Sequence, residues 1–198
     1  MSKNKMKKVC IFGSYKDLGA RQKEDVFRLG QMLAQKGFTV VSGGFGGTME
    51  DVSRGAKSAG GRTIGVTYYK WENPLYKTAN KFIDKEIVAR HLLDRIDIMV
   101  KKSDAFIVFP GGTGTLLELS TVLEYMNKGL SVWKPVIAVG DFWKKVPAVL
   151  KKEPVFSENV RNLRKISHCH ELVIFVETVD DCVKYLGEAN NRKIRRNF

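Results

Sequence analysis

Short apolar runs alternate with longer amphipathic stretches along most of the chain. The runs KVCIF, FTVVS, TIGV, AFIVF, PVIAV and LVIFV are rich in β-branched residues and lack polar alternation, which is typical of strands buried on both faces. The stretches between them have a helical period, and the first places Val26, Leu29 and Leu33 on one face. This alternation predicts an α/β fold, a doubly wound, mostly parallel sheet with helices on both faces.

Helices are predicted over residues 23–36, 49–59 and 85–102, and in the stretch that follows AFIVF and ends at Met126. Two more helical stretches precede LVIFV, and Thr178 is expected to cap the last helix. Residues 67–84 have no clear period, so we predict an irregular loop there, over one edge of a ligand site.

The length of 198 residues fits one domain with a substantial core, and the hydrophobic content of 43% is that of a globular protein. We expect a single Rossmann-like domain at residues 8–187, with a basic tail at 1–7 and another at 188–198. No run approaches the roughly 20 apolar residues that span a bilayer. Three cysteines form no disulfide framework, so a reduced, cytoplasmic protein is expected.

The net charge of +13 favours anionic partners without saying which. Much of it lies at the two ends, in Lys3, Lys5, Lys7 and Lys8 and in Arg192, Lys193, Arg195 and Arg196. The basic residues do not alternate with aromatic residues as they do where single-stranded nucleic acids stack. A soluble domain with basic tails is therefore favoured, and a nucleic-acid-associated protein stays open as an alternative.

Three predicted strands run directly into small, flexible residues. GSY follows KVCIF, SGGFGGTME follows FTVV, and PGGTGT follows AFIVF. Because ligands bind beyond the carboxyl ends of parallel strands, all three loops are expected to open on one edge of the sheet. The candidate binding residues are Gly13, Ser14, Gly43, Gly44, Gly46, Gly47, Thr48, Met49, Gly111, Gly112, Thr113, Gly114 and Thr115.

The second and third of these loops each lead a strand into a helix. Glycine permits close backbone approach, and the unpaired N–H groups of a helix start lie at the positive end of its dipole. A tight turn explains one such loop equally well, but two of them favour a phosphate-bearing ligand. GGFGGTME lacks the lysine of G-x-x-x-x-G-K-[ST], which disfavours triphosphate hydrolysis. Only Gly13 and Ser14 stand where G-x-G-x-x-G belongs, so no redox cofactor is expected.

Glu118 stands four residues after Gly114, early in the helix that follows PGGTGT. The dipole alone often explains a glutamate at a helix start. Beside a phosphate site, however, a carboxylate repels the phosphate unless its position serves the chemistry, so both explanations stay open. The core stripe of this helix is predicted to be Leu116, Leu119, Leu123 and Met126.

These segments resemble one family. PGGTGTLLE matches the PGGxGTxxE signature of the LONELY GUY (LOG)-type proteins, and IFGSY and SGGFGGTME resemble the opening turn and the GGGxxGLMG loop of that family. DRIDIMVKKSDAFIVFPGG resembles the family helix with a motif arginine, which places that arginine at Arg95. The resemblance runs from about Lys8 to Gly187.

The resemblance implies a phosphoribohydrolase, which cleaves the N-glycosidic bond of a nucleoside 5′-monophosphate to the free base and ribose 5-phosphate. It assigns catalysis to Glu118 and Arg95, and binding of the phosphate of an AMP-like substrate to the residues from Gly111 to Thr115. It implies a homodimer and no cofactor. Oxocarbenium-like charge develops when an N-glycosidic bond breaks, and a carboxylate beside the anomeric carbon stabilises that charge or activates water.

Two positions depart from the family pattern, with Thr48 in place of leucine and Glu50 in place of glycine on either side of the methionine. Glu50 is expected to bind ribose hydroxyls, to weaken phosphate binding or to face solvent. A non-catalytic nucleotide-binding or carrier protein therefore stays the alternative to hydrolysis. The HCH segment at residues 168–170 does not predict a metal site, because neighbours one residue apart point to opposite sides of an extended segment.

Overall fold

A computed structural model describes residues 6–16, 19–68 and 78–195, with the backbone alone at 191–195. Within this part of the chain, seven strands form one sheet and seven α-helices cover it. The strands are β1 (Lys8–Phe12), β2 (Thr39–Ser42), β3 (Thr63–Thr67), β4 (Lys85–Val88), β5 (Ala105–Val108), β6 (Val136–Val139) and β7 (Val173–Val176). The helices are α1 (Ala20–Gln35), α2 (Thr48–Ser58), α3 (Leu92–Lys102), α4 (Thr113–Asn127), α5 (Lys145–Ala148), α6 (Glu158–Arg164) and α7 (Val179–Arg195).

The strand order is β4-β3-β2-β1-β5-β6-β7, and every pair is parallel. The predicted doubly wound α/β fold is confirmed. β1 lies between β2 and β5. The chain that follows β1 forms one half of the sheet, with β2, β3 and β4, and the chain that follows β5 forms the other half, with β6 and β7. The crevice of such a fold opens where these two directions part, at the carboxyl ends of β1 and β5.

Alternate residues of each central strand enter two separate cores. Val9 and Ile11 of β1 pack with α1, α2 and α7 on one face. Cys10 and Phe12 pack with α3, α4 and the α5–α6 region on the other. Because both faces of β1 are buried in apolar cores, its sequence shows no alternation of polar and apolar residues.

The predicted helix over residues 85–102 is wrong in its first half. Residues 85–88 form β4, which pairs with β3, and α3 begins only at Leu92. β4 is an edge strand with Lys85, Glu86 and Val88 exposed, so it lacks the apolar run by which the other strands are recognised. Asp84 fixes its start, because its carboxylate accepts a hydrogen bond from the backbone N–H of Thr63 at 2.9 Å.

The stripe predicted for α4 is correct except at its first member. Leu119, Leu123 and Met126 are buried, whereas Leu116 is 37% exposed. Thr115 and Glu118 are buried, so the inward side of the first turns of α4 is formed by these two residues and not by Leu116.

The start of the described chain is joined to the last helix by a buried hydrogen bond. The backbone N–H of Met6 donates to Oδ1 of Asn190 at 2.8 Å, and both residues are buried. Thr178 caps α7 as predicted, since its Oγ1 accepts from the N–H of Asp181 at 3.2 Å.

Of the loop predicted over residues 67–84, positions 69–77, with Tyr69 and Trp71, lie outside the described residues. No described helix is long and apolar enough to cross a bilayer.

Candidate active site

The carboxyl ends of β1, β2 and β5 bring the three glycine-containing loops together. Ser14, in the turn after β1, lies between the other two loops. Its carbonyl accepts a hydrogen bond from the N–H of Thr48 at 2.9 Å. On its other side, a Cβ built on Gly111 would lie 3.2 Å from its backbone nitrogen. The three loops are therefore in contact at the crevice of the sheet.

Two glycines are required by this close approach. Gly47 has a φ of +62°, and a Cβ there would lie 2.5 Å from the carbonyl oxygen of Ser14. A Cβ on Gly13 would lie 2.6 Å from Cγ2 of Thr48. Thr48 is buried beneath Gly13, so its side chain holds the two loops together.

The start of α4 presents open backbone N–H groups. Gly112 caps the helix without a side-chain hydrogen bond, and a Cβ on Gly112 or Gly114 would meet no described heavy atom within 4 Å. Thr113 is exposed, while Thr115 is buried against Gly111. The positive end of a 15-residue helix is thus accessible to an anion.

The loop before α2 is less open. Gly44 has a φ of +78°, and its carbonyl accepts hydrogen bonds from the backbone N–H of Asn80 at 2.8 Å and from Nδ2 of Asn80 at 3.1 Å. Oε2 of Glu50 lies 4.0 Å from the position of a Cβ on Gly46. Because a carboxylate already lies near this helix start, a phosphate is better accommodated at α4 than at α2.

Arg95 and Glu118 meet beneath these loops. Nη1 of Arg95, in the first turns of α3, lies 3.5 Å from Oε1 of Glu118 in α4. Only 9% of the arginine side chain and 11% of the glutamate side chain are exposed. The sequence singles out both residues but gives no reason to expect that they form an ion pair.

The guanidinium of Arg95 is held on several sides. Its Nε donates to the carbonyl of Val66 at 2.7 Å, and its Nη2 lies 3.7 Å from the sulfur of Met49. Its Cζ lies 5.5 Å from the centre of the Phe45 ring. Arg95 is therefore fixed by β3 and by the second glycine loop as well as by Glu118.

Burial dominates the electrostatics of Glu118. It raises the pKa of this carboxyl from 4.5 to about 7, against the opposing attraction of the Arg95 charge. Cys10 lies in the adjacent core, and burial together with the Glu118 charge raises the pKa of its thiol well above the ordinary value. The site thus contains a carboxyl group that exchanges its proton near neutral pH.

Three structural partners were missed by the sequence interpretation. The Val66 carbonyl binds Arg95, the Phe45 ring lies against it, and Asn80 holds the second loop. The carbonyl is a backbone group and carries no residue-type signal. Asn80 belongs to a segment without periodicity, so nothing in the sequence connects it to Gly44.

A cleft of about 470 Å³ lies beside this site rather than over the Arg95–Glu118 pair. It is lined by Tyr15 and Gly47 of the loops, by Lys23 of α1, by Glu50, Asp51 and Arg54 of α2, and by Lys81 and Phe82. Neither Arg95 nor Glu118 lines this cleft.

Fold and loops together define a Rossmann-like α/β protein whose glycine-containing loops meet at the crevice of its sheet. A model of the SLOG cluster4 family matches residues 6–173, and the chain belongs to this family. The resemblance to LOG-type proteins is confirmed by relatives named cytokinin riboside 5′-monophosphate phosphoribohydrolase. The chain is 28% identical over 193 residues to LOG3 of Arabidopsis thaliana, covering 87% of this chain and 89% of that one.

A relative of the same enzyme name from Mycobacterium tuberculosis is 35% identical over 113 residues, covering 56% of this chain and 59% of that one. An uncharacterised protein of Archaeoglobus fulgidus is 34% identical over 114 residues, covering 58% and 72%.

Solved structures share the fold. The molybdenum cofactor binding protein of Rippkaea orientalis has a TM-score of 0.67 at 24% identity, covering 93% of this chain and 97% of that one. DNA processing protein A of Helicobacter pylori has a TM-score of 0.61 at 16% identity, covering 93% and 82%. At these identities the likeness concerns the fold alone.

Proposed function

We propose that the protein hydrolyses the N-glycosidic bond of a nucleoside 5′-monophosphate, giving the free base and ribose 5-phosphate. The observation that carries the proposal is the buried Arg95–Glu118 pair beside the open N-terminus of α4. The names of the LOG-type relatives support the same reaction class.

The start of α4 is the proposed phosphate site. Backbone N–H groups around Gly112 and Gly114 are accessible there, and no described side chain caps them. Binding energy from the phosphate then orients the ribose, which reacts at a different atom. Glu118 lies one turn further along the same helix, so a sugar attached to that phosphate extends towards its carboxyl group.

Glu118 has the electrostatic and proton-transfer role. As the C1′–N bond breaks, its electron pair leaves with the base and positive charge develops on the ribose. The Glu118 carboxylate stabilises that charge and accepts a proton from the water that adds to C1′. The departing base takes up one proton from solvent, and Glu118 returns its proton to solvent, so the step balances. Arg95 keeps a larger fraction of Glu118 ionised, since its charge lowers the pKa of the carboxyl.

The test is to incubate the protein with AMP, GMP, CMP, UMP and isopentenyl-AMP and to measure free base and ribose 5-phosphate. We expect release from at least one of them, and a loss of kcat on the order of 10²–10⁴-fold in Glu118→Gln. Glu124→Gln is the matched control, because Glu124 is exposed on α4 and its described partners are Asn127 and Lys128 at the far end of the helix.

A nucleotide-binding or carrier protein gives a different result in the same assays. A nucleotide then raises the melting temperature of the protein and is recovered unchanged. Because there is no turnover, Glu118→Gln changes no rate. Absence of release from all five nucleotides, with the protein folded, overturns the hydrolase proposal.

A further inference from the structure

The cleft beside the active site is lined mainly by three residues of α2, with one residue of α1, two loop residues and the Lys81–Phe82 segment around them. Helices α1 and α2 lie on the opposite face of the sheet from α3 and α4. Its volume of about 470 Å³ falls within the range of small-molecule sites. Tyr15 and Phe82 supply ring surfaces, and Lys23, Arg54 and Lys81 supply positive charge. It therefore has the size and the mixed lining of a ligand site.

Two opposite charges in the cleft lack an ion-pair partner among the described residues. Glu50 is half-buried, and no described group forms a hydrogen bond or ion pair with its carboxylate. Lys81 lies 5.3 Å from the centre of the Phe82 ring and makes no ion pair with a described residue. A ligand that carries both an anionic group and hydrogen-bond donors matches these two side chains.

The floor of the cleft is different, because its charges are already paired. Oδ1 of Asp51 accepts from Nη2 of Arg54 at 3.2 Å, and the Arg54 guanidinium lies 4.8 Å from the centre of the Phe27 ring. Asp51 is 9% exposed. This pair shapes the cleft and leaves Glu50 and Lys81 as the groups that select a ligand.

The cleft and the active site lie on opposite sides of the first turn of α2. Met49 contacts Arg95, whereas the next residue, Glu50, lines the cleft. Tyr15 and Gly47 form the wall between the cleft and the Ser14 turn. A ligand in the cleft therefore occupies a place separate from the phosphate site at α4.

We propose that this cleft binds a second small ligand, a phosphate monoester that carries free hydroxyl groups. Its phosphate binds at Lys81, in the field of Lys23 and Arg54, and its hydroxyl groups donate to Glu50. Sugar phosphates and nucleotides share this chemistry, and a nucleobase has the Tyr15 and Phe82 rings to pack against. The proposal concerns binding only, so it stands or falls separately from hydrolysis.

The experiment measures ligand binding in a variant that cannot hydrolyse nucleotides and whose proposed phosphate site at α4 is blocked. Glu118→Gln removes the proposed chemistry, and Gly114→Glu adds a carboxylate at the start of α4, where there is room for it. Ribose 5-phosphate, AMP, adenosine and inorganic phosphate are titrated separately by calorimetry into this double variant.

We expect ribose 5-phosphate or AMP still to bind, and adenosine to bind at least fivefold more weakly than AMP. Adding Lys81→Ala should weaken binding about fivefold for every phosphate-containing probe. Adding Glu50→Gln should weaken binding of ribose 5-phosphate or AMP but not of inorganic phosphate. Lys85→Ala, an exposed lysine of β4 outside the cleft, is the matched control and should change nothing.

Two results overturn the proposal. One is that none of the four probes binds to the double variant, which by circular dichroism is folded. The other is residual binding that responds to neither Lys81→Ala nor Glu50→Gln. Ribose 5-phosphate binding without AMP binding assigns the cleft to sugar phosphates, and the reverse assigns it to nucleotides.

Discussion

The guanidinium of Arg95 occupies the space in which a side chain at position 43 would lie. A Cβ built on Gly43 would overlap Nη2 of Arg95 and would lie 2.7 Å from both its Cζ and the sulfur of Met49. This glycine is therefore explained by the arginine rather than by a phosphate. Gly43, Gly44 and Gly47 of the second loop thus serve the packing of the site, whereas Gly112 and Gly114 keep the start of α4 open.

Gly43→Ala should displace Arg95 and lower kcat, because the added methyl group and the guanidinium cannot share one position. We also expect a loss of about 1–3 kcal/mol in the free energy of unfolding, which is typical of overpacking. Thermal denaturation and steady-state kinetics measure the two effects. Gly187→Ala is the control, since a Cβ there meets no described atom within 4 Å in α7 and should raise helix stability by roughly 0.5–1 kcal/mol. An active Gly43→Ala enzyme with normal stability contradicts this account.

Arg95→Lys should lower kcat/KM by about 10²-fold although the positive charge is kept. Lysine has a single ammonium group, which cannot reach the Val66 carbonyl and Glu118 together as the guanidinium does. Arg90→Lys is the matched control, because Arg90 is exposed and, among the described residues, pairs with Asp94 near the same helix start. Similar kinetics for the two variants would show that Arg95 acts only through its charge.

The hydrolysis rate should rise with pH through about 7 if the Glu118 carboxylate is the active form. Its pKa of about 7 is the expected midpoint of the pH–rate profile. Arg95→Met should move this midpoint to higher pH, because the arginine charge opposes the effect of burial on the carboxyl. A profile that is flat between pH 6 and 8, measured where the protein is folded, excludes Glu118 as the titrating group.

Glu118 should also make the protein less stable as pH rises from about 4.5 to about 7. In this window the folded state holds a proton on Glu118 that the unfolded state releases, so the free energy of unfolding falls with pH. At about 1.4 kcal/mol per pKa unit, the full change is about 3 kcal/mol. Urea denaturation at several pH values should show a shallower decline in Glu118→Gln. Equal slopes in the two proteins contradict the raised pKa.

Asn80→Asp should loosen the loop before α2 while leaving the local turn in place. The side-chain oxygen still accepts from the N–H of Phe82, but the Nδ2 donor to the carbonyls of Gly44 and Phe45 is lost. We expect a loss of about 1–3 kcal/mol in stability, because two partly buried carbonyls lose a partner and face a carboxylate. Hydrogen exchange at Gly44 and Phe45 measures the loosening, and Asn80→Ser separates loss of the donor from the added charge.

The fold was predictable because the central strands are buried on both faces of the sheet. Strands such as β1 and β5 appear in the sequence as unbroken apolar runs, and helices such as α1 as one apolar stripe. β4 was not predicted as a strand, because an edge strand needs no unbroken apolar run. Its mixture of charged and apolar residues also fits a helix. Leu116 was misplaced because the inward side of α4 is formed there by Thr115 and Glu118, two polar residues that a search for an apolar stripe passes over.

The site was predictable as a set of loops but not as a set of contacts. The glycines and Glu118 belong to short motifs that the chain places at one edge of the sheet. The contact between Arg95 and Glu118 joins residues of different helices. The position of Arg95 depends on the backbone carbonyl of Val66 and on the space left by the absent side chain of Gly43. Such relations follow from three-dimensional packing, which a residue pattern does not contain.

Trp143 gives the α4 loop an optical reporter. Its indole N–H donates to the carbonyl of Phe109 at 2.9 Å, two residues before Gly111, and the side chain is almost completely buried. Trp133 is stacked against Arg164 instead, 3.5 Å from the guanidinium. With Trp71 and Trp133 replaced by phenylalanine, Trp143 is the one remaining tryptophan, and we expect its emission wavelength to shift when an anion binds at the start of α4 and displaces the Phe109 carbonyl.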